Sequence, residues 1–226
     1  MRIMLNGRRR ALALAATGAT LAALIAGSIA AVAPASASPA SPPVMTPKAL
    51  AFHDAMRELW QVHGTFTERA IVDYVGGLPD ATAVIAHLQQ NQVQIGDAVK
   101  PYYGAKAGDE LTALLHAHIS DAVDCVIAAK AGNKTALASA EAAFFANANQ
   151  TAAFLHSANP RNWSLAAMRS MMRTHINQVL GLAVDQLQGK YTAAINLYGT
   201  YIHHILYGMA DMLSNGIIRQ FPAKFR

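Results

Sequence analysis

From Thr46 to the C-terminus, no stretch alternates apolar and polar residues with the period of two that a half-buried strand requires. The composition is helical instead: Ala, Leu, Gln, Met and Glu recur, and Gly or Pro falls mainly at points of punctuation. That punctuation predicts six helical segments, at about 46–76, 79–103, 106–131, 134–158, 161–188 and 190–215. Thr46-Pro47 suits an N-cap and first helical position, while Gly132 and Gly189 suit helix C-termini.

The breaks recur at a nearly constant interval. Gly77, Gly132 and Gly189 stand 55 and 57 residues apart, and Gly104, Pro160 and Gly216 stand 56 and 56 apart. Each interval is a helix, a tight turn and a returning helix, so the expected fold is all-α: an antiparallel six-helix bundle of three tandem helical hairpins. The hairpins span about 46–104, 105–160 and 161–216 of a single domain, 46–226. Short connections and an apolar stripe on every unit favour a compact bundle over an open solenoid.

Polar side chains keep the same interval. His63, His118 and His175 are separated by 55 and 57 residues, and Asn91, Asn147 and His204 by 56 and 57. Each first-helix His lies about 14 residues before its turn, and each second-helix partner 14 or 15 after it. Equal distances from the turn of an antiparallel hairpin put two residues at one level. The six are therefore expected to form one layer across the bundle, and a buried polar layer needs partners.

Two readings of that layer stand side by side. In one it is a binding site: His63, His118, His175 and His204 ligate a metal, with Asn91 and Asn147 lining a cofactor or small ligand. Imidazole suits copper and zinc alike, and Met171, Met172, Met209 and Met212 one turn away would add soft thioethers that favour copper, Cu(I) in particular. Met56 and Trp60 border the same end. In the other reading, the layer only fixes helix register, the methionines fill the core, and function lies on the surface.

Neither HxxxH nor ExxH occurs, so the carboxylate-bridged di-iron pattern is missing. With no GxSxG elbow, no strand followed by a glycine-rich turn and no GxxxxGK[ST], the sequence offers little for a hydrolase or a nucleotide enzyme. His53, His87, His116 and His156 have no counterpart at the repeat interval and read as surface or satisfied histidines, while His203 points about 100° away from His204. Asp211, two turns after His204, is expected either to accept from the layer or to cap neighbouring packing. Cys125, the only cysteine, sits among Val123, Val126 and Ile127 and reads as an inert buried thiol.

The first residues change the picture of charge and location. Arg2 and Arg8 to Arg10 precede an uncharged apolar run, Ala11 to Val32, followed by Pro34 and Ala35-Ser36-Ala37. This predicts a secretory signal peptide, 1–37, then a flexible leader, 38–45, and a secreted or cell-exterior product; membrane contact is expected only through the signal segment if it stays uncleaved. The Arg triplet hints at the twin-arginine route, although the following residues match it poorly. Four of the 18 Lys and Arg lie in that segment and all 13 Asp and Glu lie beyond it, which reduces the net charge of +5 to +1 after cleavage. A near-neutral chain lacks the basic stripe a nucleic-acid partner would require, leaving a metal or an unspecified small ligand as the expected partner.

In KAGDELTALLHAHI, NPRNW, MRSMMRTHI and the ending MADMLSNGIIRQFPAKF, the chain resembles a group of uncharacterised secreted bacterial helical proteins, some labelled acetylglutamate kinase or glycosyltransferase. The likeness runs from about Leu59 to the C-terminus. It implies an exported helical domain and carries no catalytic residue, since a helical chain without a phosphate loop supplies neither labelled activity.

Overall fold

The computed structural model describes residues 45–226; the expected signal peptide and nearly all of the leader lie outside them. Among the described residues the protein is all-α, with helices α1 (Pro47–Gly76), α2 (Ala81–Tyr103), α3 (Ala105–Lys130), α4 (Lys134–Ala158), α5 (Leu165–Leu187), α6 (Tyr191–His203) and α7 (Asp211–Gln220). A π-helical stretch, His204–Ala210, joins α6 to α7, and a short 3₁₀ turn, Pro222–Phe225, closes the chain.

Local chemistry explains the boundaries. Thr46, Asn133 and Ser164 accept a backbone N–H three residues on and start α1, α4 and α5. Gly77, Gly132 and Gly189 end α1, α3 and α5 with φ of 71°, 66° and 67°, a region only glycine enters cheaply. After each, the next residue's N–H reaches back five positions (Leu78 to Asp73, Asn133 to Ala128, Lys190 to Asp185), and the glycine's own reaches back three. That pair of bonds satisfies the last helical carbonyls at all three turns.

Two boundaries differ from the sequence expectation. α5 starts at Leu165 and not near 161, because Asn159 to Trp163 form a loop that buries the indole of Trp163, whose Nε1–H donates to the Met212 carbonyl. The last helix runs to Gln220, past 215, and contains the π-helical stretch, which no residue pattern signalled.

The hairpins close into a ring. α1, α3 and α5 touch one another at the centre; α2 packs against α1 and α3, α4 against α3 and α5, and α6 with the π stretch against α5 and α1. Counted from His63, His118 and His175, the positions at −7, −3, +1, +7 and +8 are buried on all three central helices: Met56, Leu111 and Met168; Trp60, Leu115 and Met172; Gly64, Ile119 and Ile176; Ala70, Cys125 and Leu182; Ile71, Val126 and Ala183. The spacing is that of a helix face turned to a shared axis. α2 and α3 come closest at Gly96 and Gly108, where a Cβ on either would lie 2.7 or 2.6 Å from the other's carbonyl oxygen.

Candidate functional site

The polar layer sits in the middle of this core, and one hydrogen bond recurs in it three times. Asn91 Nδ2 donates to the Leu59 carbonyl at 3.0 Å, Asn147 Nδ2 to the Leu114 carbonyl at 2.9 Å, and His204 Nε2 to the Met171 carbonyl at 3.3 Å. Each acceptor lies four residues before a layer histidine, so a residue of the outer helix is bonded to the inner helix one turn below the imidazole. Three residues before each of these donors on the outer helix stands a buried large side chain: Leu88, Phe144 and Tyr201.

His63, His118 and His175 project to the axis and are each 2% exposed. The His175 ring lies between the other two, 5.6 Å from His63 and 5.3 Å from His118 by ring centres, nearly parallel to the latter. Aromatic neighbours enclose the group: Trp60 against His63, Phe144 against His118 and Tyr201 against His175.

Hydrogen bonds set two of the tautomers. Gln92 Nε2 is surrounded by the Leu88 carbonyl, Asn91 Oδ1 and His63 Nδ1, at 2.8, 3.2 and 3.2 Å. Two of those three atoms can only accept, which identifies the central atom as the amide NH₂ and makes His63 Nδ1 an acceptor. The proton of neutral His63 is therefore on Nε2. His118 is the reverse: Asn147 spends its NH₂ on Leu114, so its Oδ1 accepts from His118 Nδ1–H at 2.8 Å, leaving a lone pair on Nε2.

Burial keeps the rings neutral. It pushes the His63 imidazole down to about 3, with repulsion from His118 adding to it and the Gln92 bond opposing. It pushes His118 down to about 4 against the opposing Asn147 bond. His175 is lowered well below the usual imidazole range by burial and then by His118, His63 and His204. The price of that burial shows in unpartnered atoms: His63 Nε2, His118 Nε2, His175 Nδ1, Trp60 Nε1, Thr151 Oγ1 and Tyr201 Oη are all buried without a hydrogen bond.

Two small cavities flank the layer. One, of about 20 Å³, is lined by Trp60, Thr151, Met171, Met172 and Met209 together with leucines. The other, of about 40 Å³, is apolar and lies on the turn side among Thr67, Ile71, Leu88, Ile119 and Val179.

The structure thus brings His63, His118, His175, Asn91 and Asn147 together and gathers Met172 and Met209 beside them. His204 stands apart from the three rings: it is half-buried, its Nε2 is occupied by the Met171 carbonyl, and burial lowers its pKa. Among the described residues no three His, Cys, Asp or Glu side chains are grouped so as to hold a metal ion. Asp211 does not reach the layer; it takes a two-point bond from Arg57 at 2.6 and 2.7 Å and lies 3.0 Å from His53 Nε2. His53 is buried there, His116 and His156 are bonded to the Gln89 and Trp163 carbonyls, and His203 is exposed against Tyr207. Cys125 is a buried free thiol that burial, then Glu141, Asp121 and Asp124, push up to about 11. Sequence reasoning missed Gln92, Thr151 and Tyr201. Gln92 and Tyr201 lie one and three residues from layer positions; Gln92 has no polar counterpart at the repeat interval, and Tyr201 shares its register with the apolar Leu88 and Phe144.

No family model, curated protein or solved structure matches this chain.

Proposed function

We propose that this chain is an exported binding protein, built from a threefold internal repeat, whose ligand lies in the buried imidazole layer among α1, α3 and α5, with a metal ion, copper before zinc, as the first candidate. The observation that carries the reading is the concentration of buried imidazole nitrogens without partners, on His63, His118 and His175, in a core otherwise closed by apolar packing. Native interiors rarely leave such groups idle, and neutral imidazole is the form that ligates. His204 spends its Nε2 on a carbonyl, so the reading rests on His63, His118 and His175. The signal peptide expected at 1–37 supports a cell-exterior location, with a mature N-terminus at Ser38.

Elemental analysis of purified mature protein, then copper and zinc titrations of the wild type and of His175→Ala and His204→Ala, test the reading. The expected result is one ion per chain, lost in His175→Ala and kept in His204→Ala. A folded protein that binds neither metal would sink it.

A second reading has an observation of its own: the thrice-repeated bond to a carbonyl one turn below each layer histidine is what a register-fixing layer needs, with no ligand involved. In that case the substitutions alter stability alone.

A further inference from the structure

We propose that the outer face of α6, continued into the π-helical stretch, is an interface for a second copy of this chain, packed antiparallel across a two-fold axis at Gly199. The face is one row of residues at four-residue spacing, Tyr191, Ile195, Gly199, His203 and Tyr207, all of them exposed. At 61%, 68% and 54%, Tyr191, Ile195 and Tyr207 are the three most exposed large apolar side chains among the described residues. From Tyr191 to Ala210 the chain carries no Asp, Glu, Lys or Arg. Arg57, held by Asp211, lies 4.8 Å from the Tyr207 ring centre, and the His203 ring lies 4.6 Å from it, so neighbours position this end of the row.

The other two hairpins show that the fold does not ask for such a row. At the same register, Ile195 stands where α2 and α4 have Thr82 and Ala138, Gly199 where they have Ala86 and Ala142, and Tyr207 where they have Gln94 and Gln150. All of these positions are exposed. Polar or small side chains therefore suffice on the outer helices, and the apolar row belongs to the third hairpin alone.

Gly199 indicates what covers the row. Glycine is the poorest helix former after proline, and the alanine of the other two units is the best. Elsewhere a neighbour forces the glycine: a Cβ would strike Ile202 at Gly64, Leu197 at Gly181 and Trp163 at Gly216, while Gly96 and Gly108 meet each other. A Cβ at Gly199 would meet nothing within 4 Å. The missing side chain serves no contact inside the chain; it leaves a notch in the row where a second helix backbone can approach, as α2 approaches α3 at Gly96 and Gly108. A bilayer has no backbone to seat in a notch and would gain more from a side chain there.

The row also reads alike in both directions from Gly199, with a tyrosine two turns away on either side. An isologous contact needs that symmetry, because each residue before the axis faces one equally far beyond it on the other copy. Tyr191 then meets Tyr207 of the second copy, Ile195 meets its His203, and the two Gly199 residues meet at the axis. With the face uncharged, no like charges oppose one another. The row is about 24 Å long on a helix about 10 Å wide. That area is at the small end for a specific interface and sets the dissociation constant in the micromolar range.

Sedimentation velocity of the purified mature protein across the micromolar range tests the proposal, and the expected result is a monomer–dimer equilibrium. Ile195→Glu should weaken the dimer by about a hundredfold or more and Gly199→Leu should abolish it. Both should keep wild-type circular dichroism, because each position faces open space in the single chain. Ala142→Leu, at the same register of α4, should leave the equilibrium unchanged. In a Cys125→Ala background, Gly199→Cys should form an intermolecular disulfide on mild oxidation and Ala142→Cys should not, since only residues beside the axis meet their own copies. A monomer at every concentration overturns the proposal, and so does a dimer that survives both Ile195→Glu and Gly199→Leu, which would lie on another face. Monomeric protein that binds phosphatidylglycerol vesicles, and loses that binding in Ile195→Glu, assigns the row to a bilayer and likewise overturns it.

Discussion

The first two hairpins and the third solve the same problem with different side chains. Asn147 both donates to the Leu114 carbonyl and accepts from His118, and the Asn91–Gln92 pair likewise links the Leu59 carbonyl to His63. In the third hairpin His204 donates to the Met171 carbonyl but is not bonded to His175, whose Nδ1 is left without a partner. An amide carries donor and acceptor side by side on a short stem, so one residue can tether both backbone and ring; a neutral imidazole with its one N–H committed to a carbonyl has no second donor to give. The third outer helix is also the one interrupted by a π-helical stretch, beginning at His204. The comparison teaches that the layer consists of two anchored imidazoles and one that is packed but unanchored.

Acid should destabilise the whole layer, because burial holds all three rings below the usual imidazole range. A histidine whose folded pKa is depressed binds its proton in the unfolded chain first, so stability is complete above pH 6.5 and declines as pH falls toward the folded values of about 3 for His63 and about 4 for His118. Lowering the pH from 7 to 4 should cost on the order of 3 kcal/mol for each of these two rings, read from urea midpoints across that range. A midpoint that does not move between pH 7 and 4 would show that the rings are not buried and neutral.

Truncating the large side chains that cover the rings comes next. Phe144→Ala and Tyr201→Ala should each destabilise by about 3–5 kcal/mol, since both residues are fully buried. Tyr201→Phe should cost little or even stabilise, because its hydroxyl has no partner to lose. A large penalty for Tyr201→Phe would reveal a hydroxyl bond on the third hairpin and narrow the contrast.

The tethers themselves give a smaller and more diagnostic difference. Asn147→Leu strands the N–H of His118 in the core and should cost about 1–3 kcal/mol, whereas His204→Leu removes one long, half-exposed bond and should cost under about 1 kcal/mol. Equal losses in thermal melts would mean that the two residues are equivalent anchors. The smallest effect is expected for His175→Phe, within about 1 kcal/mol of the wild type, because an apolar ring of similar shape replaces one whose Nδ1 satisfies nothing.

Much of this was legible in the residues. Thr46 read as a helix start and Gly132 and Gly189 as helix ends because capping and positive φ are properties of one side chain and its immediate backbone, whereas the caps Asn133 and Ser164 were not read from the sequence. The layer was legible because equal distances from a turn fix axial height, and the recurrence of His63, His118 and His175 marked one height three times. Three members of the site gave no such signal. Gln92 has no polar counterpart at the repeat interval, Tyr201 repeats Leu88 and Phe144 only as a large buried side chain, and His204 begins a π-helical stretch.

The order of helices, their turns and the level of the polar layer were therefore settled by local chemistry and by spacing along the chain. Only the tertiary structure decided which nitrogen of His63 and of His118 carries its proton, that His204 bonds to a carbonyl and leaves the axis, and that Asp211 pairs with Arg57 and His53 and not with the layer. Height along a helix follows from residue number, but tautomer, partner and exposure follow from what faces a side chain across the bundle. Those neighbours come from segments 29 to 154 residues distant, which no local pattern relates.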